Sequence, residues 1–226
     1  MKRISILFLL LLLAMATGNA QQGSGIEVSV SSGVVFPSSP MTFADYWNVQ
    51  YGGGLQVGFP LSQSTTLVGS VEHYQFKLNQ DGVTKGFDTQ YMRDIWVFNR
   101  VSLIPSADPS SVTTLSANVR VAPSKLSGML SPYFIGGVGV MRFSLSEIKL
   151  PTTSVLPING SDISMTAQQT ITGGVQTAAF FQFGMGIDVR LTQSFDLFVE
   201  ARYASGLTSG LHTAYVPITG GLKLRL

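Results

Sequence analysis

The chain of 226 residues contains no cysteine. Disulfides, thiolate metal centres, cysteine nucleophiles and a lipid anchor on an N-terminal cysteine are thereby excluded. Histidine is almost missing too: His73 and His212 are the only two, too few for a histidine-rich metal site. Charge is scarce. Only 12% of residues are Asp, Glu, Lys or Arg, about half the share usual in soluble domains. Hydrophobic residues, at 45%, are not in excess, so Ser, Thr, Gln and Gly must build the polar surface. That balance fits a lipid-facing outside around a polar inside. Beyond the first twenty residues no segment is apolar for long enough to span a bilayer as a helix.

What is present begins at the N-terminus. Lys2 and Arg3 precede an apolar run at residues 4–16, and Gly18-Asn19-Ala20 puts small residues at a cleavage site. This layout predicts a secretory signal peptide over residues 1–20. The run is too short for a spanning helix, which needs roughly 20 residues. Cleavage after Ala20 removes Lys2 and Arg3 and leaves twelve basic residues against twelve acidic ones. The mature domain, residues 21–226, is therefore formally neutral and has no nucleic-acid footprint.

Along that domain, stretches of about ten residues alternate apolar and polar, the period of a β-strand. Residues 180–191 are the clearest case. Phe181, Phe183, Met185, Ile187, Val189 and Leu191 share one face; Gln182, Gly184, Gly186, Asp188 and Arg190 share the other. Eight strands are predicted, at about 25–36, 50–60, 65–78, 112–122, 131–143, 177–191, 194–203 and 214–226. Short connections alternate with longer ones, as in a transmembrane barrel with short periplasmic turns and long external loops. A sheet edge exposed to lipid would leave backbone groups unpaired, so the sheet must close. The reading is all-β: a closed, antiparallel, up-and-down transmembrane β-barrel after a cleaved signal peptide. Eight strands leave an interior that side chains fill, so a packed polar core is expected. The competing arrangement is a soluble periplasmic barrel with the two faces exchanged.

The segment FFQFGMGIDVRLTQSFDLFVEARY with the terminal VPITGGLKLRL resembles the last three strands of small outer-membrane β-barrel proteins. These are the OmpA transmembrane domain, the OmpX/Ail group and OmpW-like proteins. YGGGLQVGFPLSQSTTLVGSVEHYQF resembles their second and third strands. The resemblance spans residues 25–226 and rests on pattern. It implies an outer-membrane location in a Gram-negative-type bacterium, export by the secretory pathway, outer-membrane lipid as surroundings and the barrel-assembly machinery as a partner during biogenesis. Family members usually end on an aromatic residue, whereas this chain ends on Leu226. Pro217, in the last strand, cannot donate to the ladder and is expected near the outer rim, where pairing ends.

The inward charges are the candidate site. Glu27, Asp188, Asp196 and Glu200 would share the lumen with Arg120, Arg190, Arg202, Lys223 and Arg225, and Glu72 joins them if its face is inward. Buried charges must pair, so a salt-bridge network filling the barrel is expected, with a gated ion pathway as the alternative. No catalytic group, metal or cofactor is implied. His212, near Ser205, Thr208 and Ser209, reads as a surface-loop histidine and lacks evident carboxylate partners. Phe43, Tyr46 and Trp47 in the first loop are expected as interface girdle residues or binding contacts. Residues 95–103 could form an extra strand, and residues 144–176 read as a polar loop. Three functions stay open. The first is a non-enzymatic barrel, structural or surface-interacting through its long external loops, with the external partner unknown. The others are a narrow channel or conduit for small apolar molecules, and a rim-active lipid-modifying enzyme.

Overall fold

A computed structural model describes residues 25–91, 101–122, 129–158, 161–208 and 212–226. The segment expected to be a signal peptide, residues 1–20, lies outside the described residues, as do Ser209 and residues 92–100. Eight strands form the wall: β1 (Glu27–Ser39), β3 (Gln50–Pro60), β4 (Thr65–Leu78), β6 (Ser110–Val121), β7 (Leu130–Leu145), β10 (Gly174–Arg190), β11 (Phe195–Gly206) and β12 (Thr213–Arg225). Each pairs antiparallel with its neighbour in the chain. β1 also pairs with β12, from Glu27 opposite Arg225 to Ser39 opposite Ala214, which closes the cylinder.

Two of the short turns share one chemistry. Residues 61–64 read Leu-Ser-Gln-Ser and residues 191–194 read Leu-Thr-Gln-Ser. Ser62 Oγ accepts from the Ser64 and Thr65 amides at 3.3 and 3.1 Å. Thr192 Oγ1 accepts from the Ser194 and Phe195 amides at 3.3 and 3.0 Å. A hydroxyl at the first turn position thus replaces a backbone acceptor and fixes the register of both hairpins.

The alternation turns its apolar face outward. Phe183, 57% exposed, and Met185, Val138, Leu115 and Val199 form a bare belt, while Glu72, Arg202, Asp196 and Lys223 are buried inside. On β7 the outward apolar positions run from Leu130 to Val140; that rise, at about 3.3 Å per residue and a tilt of about 40°, covers about 25 Å. This is the height of a bilayer's apolar band. The architecture is a closed, up-and-down transmembrane β-barrel, and a soluble barrel with apolar residues inside is ruled out by this facing. The ambiguous segment at 66–78 resolves the same way, with Glu72 and Tyr74 buried and His73 exposed.

Several features depart from the sequence reading. The outer ends of most strands run two or three residues longer than predicted, to Ser39 in β1, Leu145 in β7 and Gly206 in β11. Pro217 does not end pairing. The β11–β12 ladder skips Arg202 and Tyr203 and resumes at Ala204 opposite Tyr215, while the β1 side runs unbroken past Pro217 to Tyr215 and shifts register only between Pro37 and Ser39; the missing N–H falls on one side only.

Residues 144–176 are not a loop. They hold β8 (Ile148–Ile158) and β9 (Ser161–Ile171), a hairpin beyond the barrel. β5 (Val101–Leu103) pairs with β8 in this separate sheet and does not enter the wall, so the wall count stays even. The first loop carries α1 (Met41–Tyr46) and β2 (Trp47–Asn48), and β4 leads into α2 (Gln80–Tyr91).

Candidate functional site

Alternating strands aim every second side chain at the axis, and the sequence has loaded those positions with ions. At the short-turn end Arg120 is hydrogen-bonded and ion-paired to Glu27, and Arg225 to Asp196. Arg225 also lies 3.9 Å from Glu27. Lys223 Nζ donates to Asp188 Oδ2 at 2.5 Å. The Tyr133 ring sits between these ions, its centroid 5.3 Å from the Arg120 guanidinium carbon and 5.6 Å from Lys223 Nζ. A ring face stabilises cations in this position.

Deeper in, Arg202 bridges two carboxylates. Its Nη2 donates to Glu72 Oε1 at 2.6 Å, and its Nε lies 2.8 Å from Glu200 Oε1. Glu72 also accepts from Tyr74 Oη at 3.2 Å. Arg202 Nη1 donates to Gln182 Oε1 at 3.0 Å, and Gln182 Nε2 donates to Asn118 Oδ1 at 2.7 Å. Ser70 and Ser116 complete the relay, their hydroxyls 2.6 Å apart. Glycine makes the room: a Cβ at Gly184 or Gly54 would fall 2.6 Å from Cγ of Arg202 or Glu72.

Among the described residues, five buried or part-buried carboxylates (Glu27, Glu72, Asp188, Asp196, Glu200) face four cations (Arg120, Arg202, Lys223, Arg225). That imbalance is why Arg202 serves two partners. Arg190, expected within the lumen, differs. It keeps the inward parity but is exposed, because it is the last residue of β10, where the wall gives way to the turn. Its cross-strand neighbour Asp196 is paired with Arg225 instead. Sequence reasoning put Gln182 on the polar face but left the neutral half of the relay, Ser70, Ser116, Asn118 and Gln182, out of the candidate site. Their inward parity was a usable signal.

The polar core is only half of the interior. Towards the long-loop end the lumen is apolar, filled by Val35, Tyr74, Phe76, Val112, Met141, Phe143, Phe180 and Tyr215. Phe43 of α1 inserts here, its ring 4.9 Å from that of Phe76 and 5.2 Å from that of Phe143, both edge-on. Trp47 is buried in the same cluster and Tyr46 packs against it. Phe43 and Trp47 are thus neither girdle residues nor exposed contacts. They stopper the barrel mouth, since an apolar side chain with no lipid to face gains about 25 cal/mol per Å² by leaving water.

His73 faces outward and bonds Thr113 Oγ1 at 2.9 Å, and His212 is exposed. Ser205 is buried, and Thr208 Oγ1 lies 3.0 Å from Thr213 Oγ1. Among the described residues no cluster of three His, Asp or Glu side chains suited to a metal occurs.

Fold and lumen define a small membrane barrel with an ion-paired lower half and an aromatic stopper. No protein-family model matches the sequence, and no curated protein does. The fold is similar to that of Neisserial surface protein A, with a TM-score of 0.52 at 15% identity over 91% of this chain and 100% of that one. Two other solved structures match over similar lengths. The Ail protein of Yersinia pestis has a TM-score of 0.44 at 10% identity, covering 89% of this chain and 100% of its own. The N-terminal β-barrel domain of Pseudomonas aeruginosa OprF has 0.44 at 14%, covering 90% and 100%. At such identities the likeness is one of fold.

Proposed function

We propose that the protein is a non-enzymatic outer-membrane barrel of a Gram-negative-type bacterium, structural or surface-interacting through its external elements. It reaches the membrane by secretory export and is inserted by the barrel-assembly machinery, with the short turns on the periplasmic side. One observation carries this reading: the outside is apolar over about a bilayer's thickness, while the inside is filled from end to end, by ion pairs below and by an aromatic plug above. A filled eight-stranded cylinder acts as a rigid stake. The β8–β9 hairpin and its partner β5 form a separate sheet beyond the wall and offer the surface for contact.

The test is fractionation with heat-modifiable gel migration. An unboiled, faster-migrating band in the outer-membrane fraction is expected; recovery in the soluble periplasm would refute the reading. In planar bilayers the protein should give no stable ohmic steps. Steps abolished by Arg120→Gln would shift the assignment to a channel. Lipid A should be identical in cells with and without the gene, and a modification lost on His212→Ala would shift it to an enzyme.

A further inference from the structure

The wall and the external sheet are joined across a gap in one ladder. β6 and β7 pair as far as Ser111 opposite Ser144. The same register resumes at Ser106 opposite Lys149, where each backbone amide donates to the other residue's carbonyl, at 3.0 and 2.8 Å. Between these points the strands part. Pro109 has no N–H to give a ladder, and side chains fasten the lower end instead. The Ser146 amide donates to Ser110 Oγ at 2.9 Å, and Ser146 Oγ donates to the Pro109 carbonyl at 3.0 Å. A cleft of about 380 Å³ opens at the parting, lined by Ser106, Ala107, Asp108, Glu147 and Lys149. Hydrogen bonds pin it at both ends, so its shape is set before any ligand arrives.

Alternation decides what the cleft shows. Ala107 and Ile148 turn inward, Ala107 against the apolar cluster and Ile148 within it. Ser106, Asp108, Glu147 and Lys149 are exposed on the opposite side. The register places Asp108 across from Glu147. Like charges at facing positions destabilise a strand pair, and nothing relieves this one. Among the described residues neither carboxylate has an ion-pair partner, and nor does Lys149. Stability gives no reason for this arrangement, whereas a cation seated between the two carboxylates does.

We propose that this cleft binds a small hydroxylated amine, such as an amino sugar with a free ammonium group. The ammonium sits between Asp108 and Glu147. Ring hydroxyls accept from Lys149 and exchange hydrogen bonds with Ser106, and the ring's C–H face rests on Ala107. The volume lies at the small end of the range of about 300–1,000 Å³ for ligand sites and admits one ring. Charge arithmetic selects the class. Two carboxylates against one lysine leave a single negative charge, which matches a monocation better than a zwitterion. Calcium takes about six to eight oxygen ligands, more than two carboxylates provide, and Lys149 repels it. The proposal rests on the surface-interacting reading above and names a ligand class for it.

The experiment is a ligand-observed NMR titration of the full barrel in detergent. Glucosamine is the probe; glucose, N-acetylglucosamine, glycine and calcium are the comparators. Glucosamine should bind roughly tenfold or more tightly than glucose or N-acetylglucosamine, because it alone brings a charge-assisted donor. Asp108→Asn with Glu147→Gln should abolish that preference, and the urea midpoint should hold or rise because the facing like charges are gone. Equal affinity for the three sugars, or an unchanged preference in the double variant, overturns the proposal. Glycine binding as tightly as glucosamine overturns it in favour of a zwitterion site, and competitive displacement by calcium in favour of a metal site. Heat-modifiable migration is recorded for every sample. Loss of that signature in the wild type would refute the membrane reading itself, whereas its presence with unselective binding refutes only the cleft.

Discussion

Arg202→Met isolates the energetics of the lumen. The Arg202 side chain is fully enclosed, at 0% exposure, with Glu72 and Glu200 at 1%. Methionine retains much of the volume and removes the charge and all donors. Two carboxylates then lose their shared cation, and Gln182 Oε1 loses its donor. Removing one member of a buried pair costs about 3–5 kcal/mol, mostly from the charge left behind. With two stranded carboxylates the upper part of that range applies. If the cost comes from the orphaned charges and not from packing, neutralising them repairs it. Glu72→Gln, Glu200→Gln and Arg202→Met combined should recover all but about 1–2 kcal/mol, because replacing a whole buried ionic group by neutral residues is often nearly neutral. The assay is urea unfolding in lipid vesicles, followed by tryptophan fluorescence, with heat-modifiable migration as a check on closure. A single variant within about 1 kcal/mol of wild type would refute the reasoning, since breaking a dry pair cannot be so mild. A triple variant no better than the single one would refute the attribution to charge.

Three further outcomes follow from the same geometry. Phe43→Ala empties the stopper and should cost about 3–5 kcal/mol, and limited proteolysis should then cut at residues 41–46 of barrels that are otherwise folded. Met185→Arg, in mid-belt, should destabilise the barrel in lipid by about 2–4 kcal/mol, while Ser144→Arg, above the belt, should cost at most about 1 kcal/mol; equal penalties would contradict the assigned depth. Gly184→Val crowds Cγ of Arg202 and should lower stability by about 1–3 kcal/mol, read from the same urea titration.

The wall was legible in the sequence because lipid imposes one rule on every strand. Apolar and polar residues alternate over most of β10, β11 and β12, so strand number and the set of residues sharing each face could be read directly, while which face is outer was settled by the structure. Arg190 shows the limit of parity, which says which way a side chain points but not whether wall remains around it. The mouth was not legible. The run MTFADYW has no periodicity that separates a girdle from a plug, and only the ring of Phe76, Phe143 and Tyr215 makes the inside better for Phe43. β8 and β9 escaped for another reason. Ile163, Met165, Ala167 and Ile171 do alternate with Asp162, Ser164, Thr166 and Thr170, but Pro151 and Pro157 interrupt β8 and argue against a strand, and the abundance of Ser, Thr and Gln reads as loop. The segment QDGVTKGFDTQY gave little warning of α2, with two glycines and no apolar stripe. Its start is set locally, by Asn79 Oδ1 accepting from the Gly82 amide at 3.2 Å.

The seam between β1 and β12 has a kinetic consequence. Seven of the eight wall contacts join strands that follow one another along the chain, whereas this one joins Glu27 to Arg225. Contacts so remote in sequence form slowly. Until Thr213–Arg225 has arrived, the nascent sheet carries two raw edges, each open to any other strand that passes. Stapling β1 to β12 by a cysteine pair at facing positions, in a chain with no native thiol, would show when in assembly the cylinder shuts.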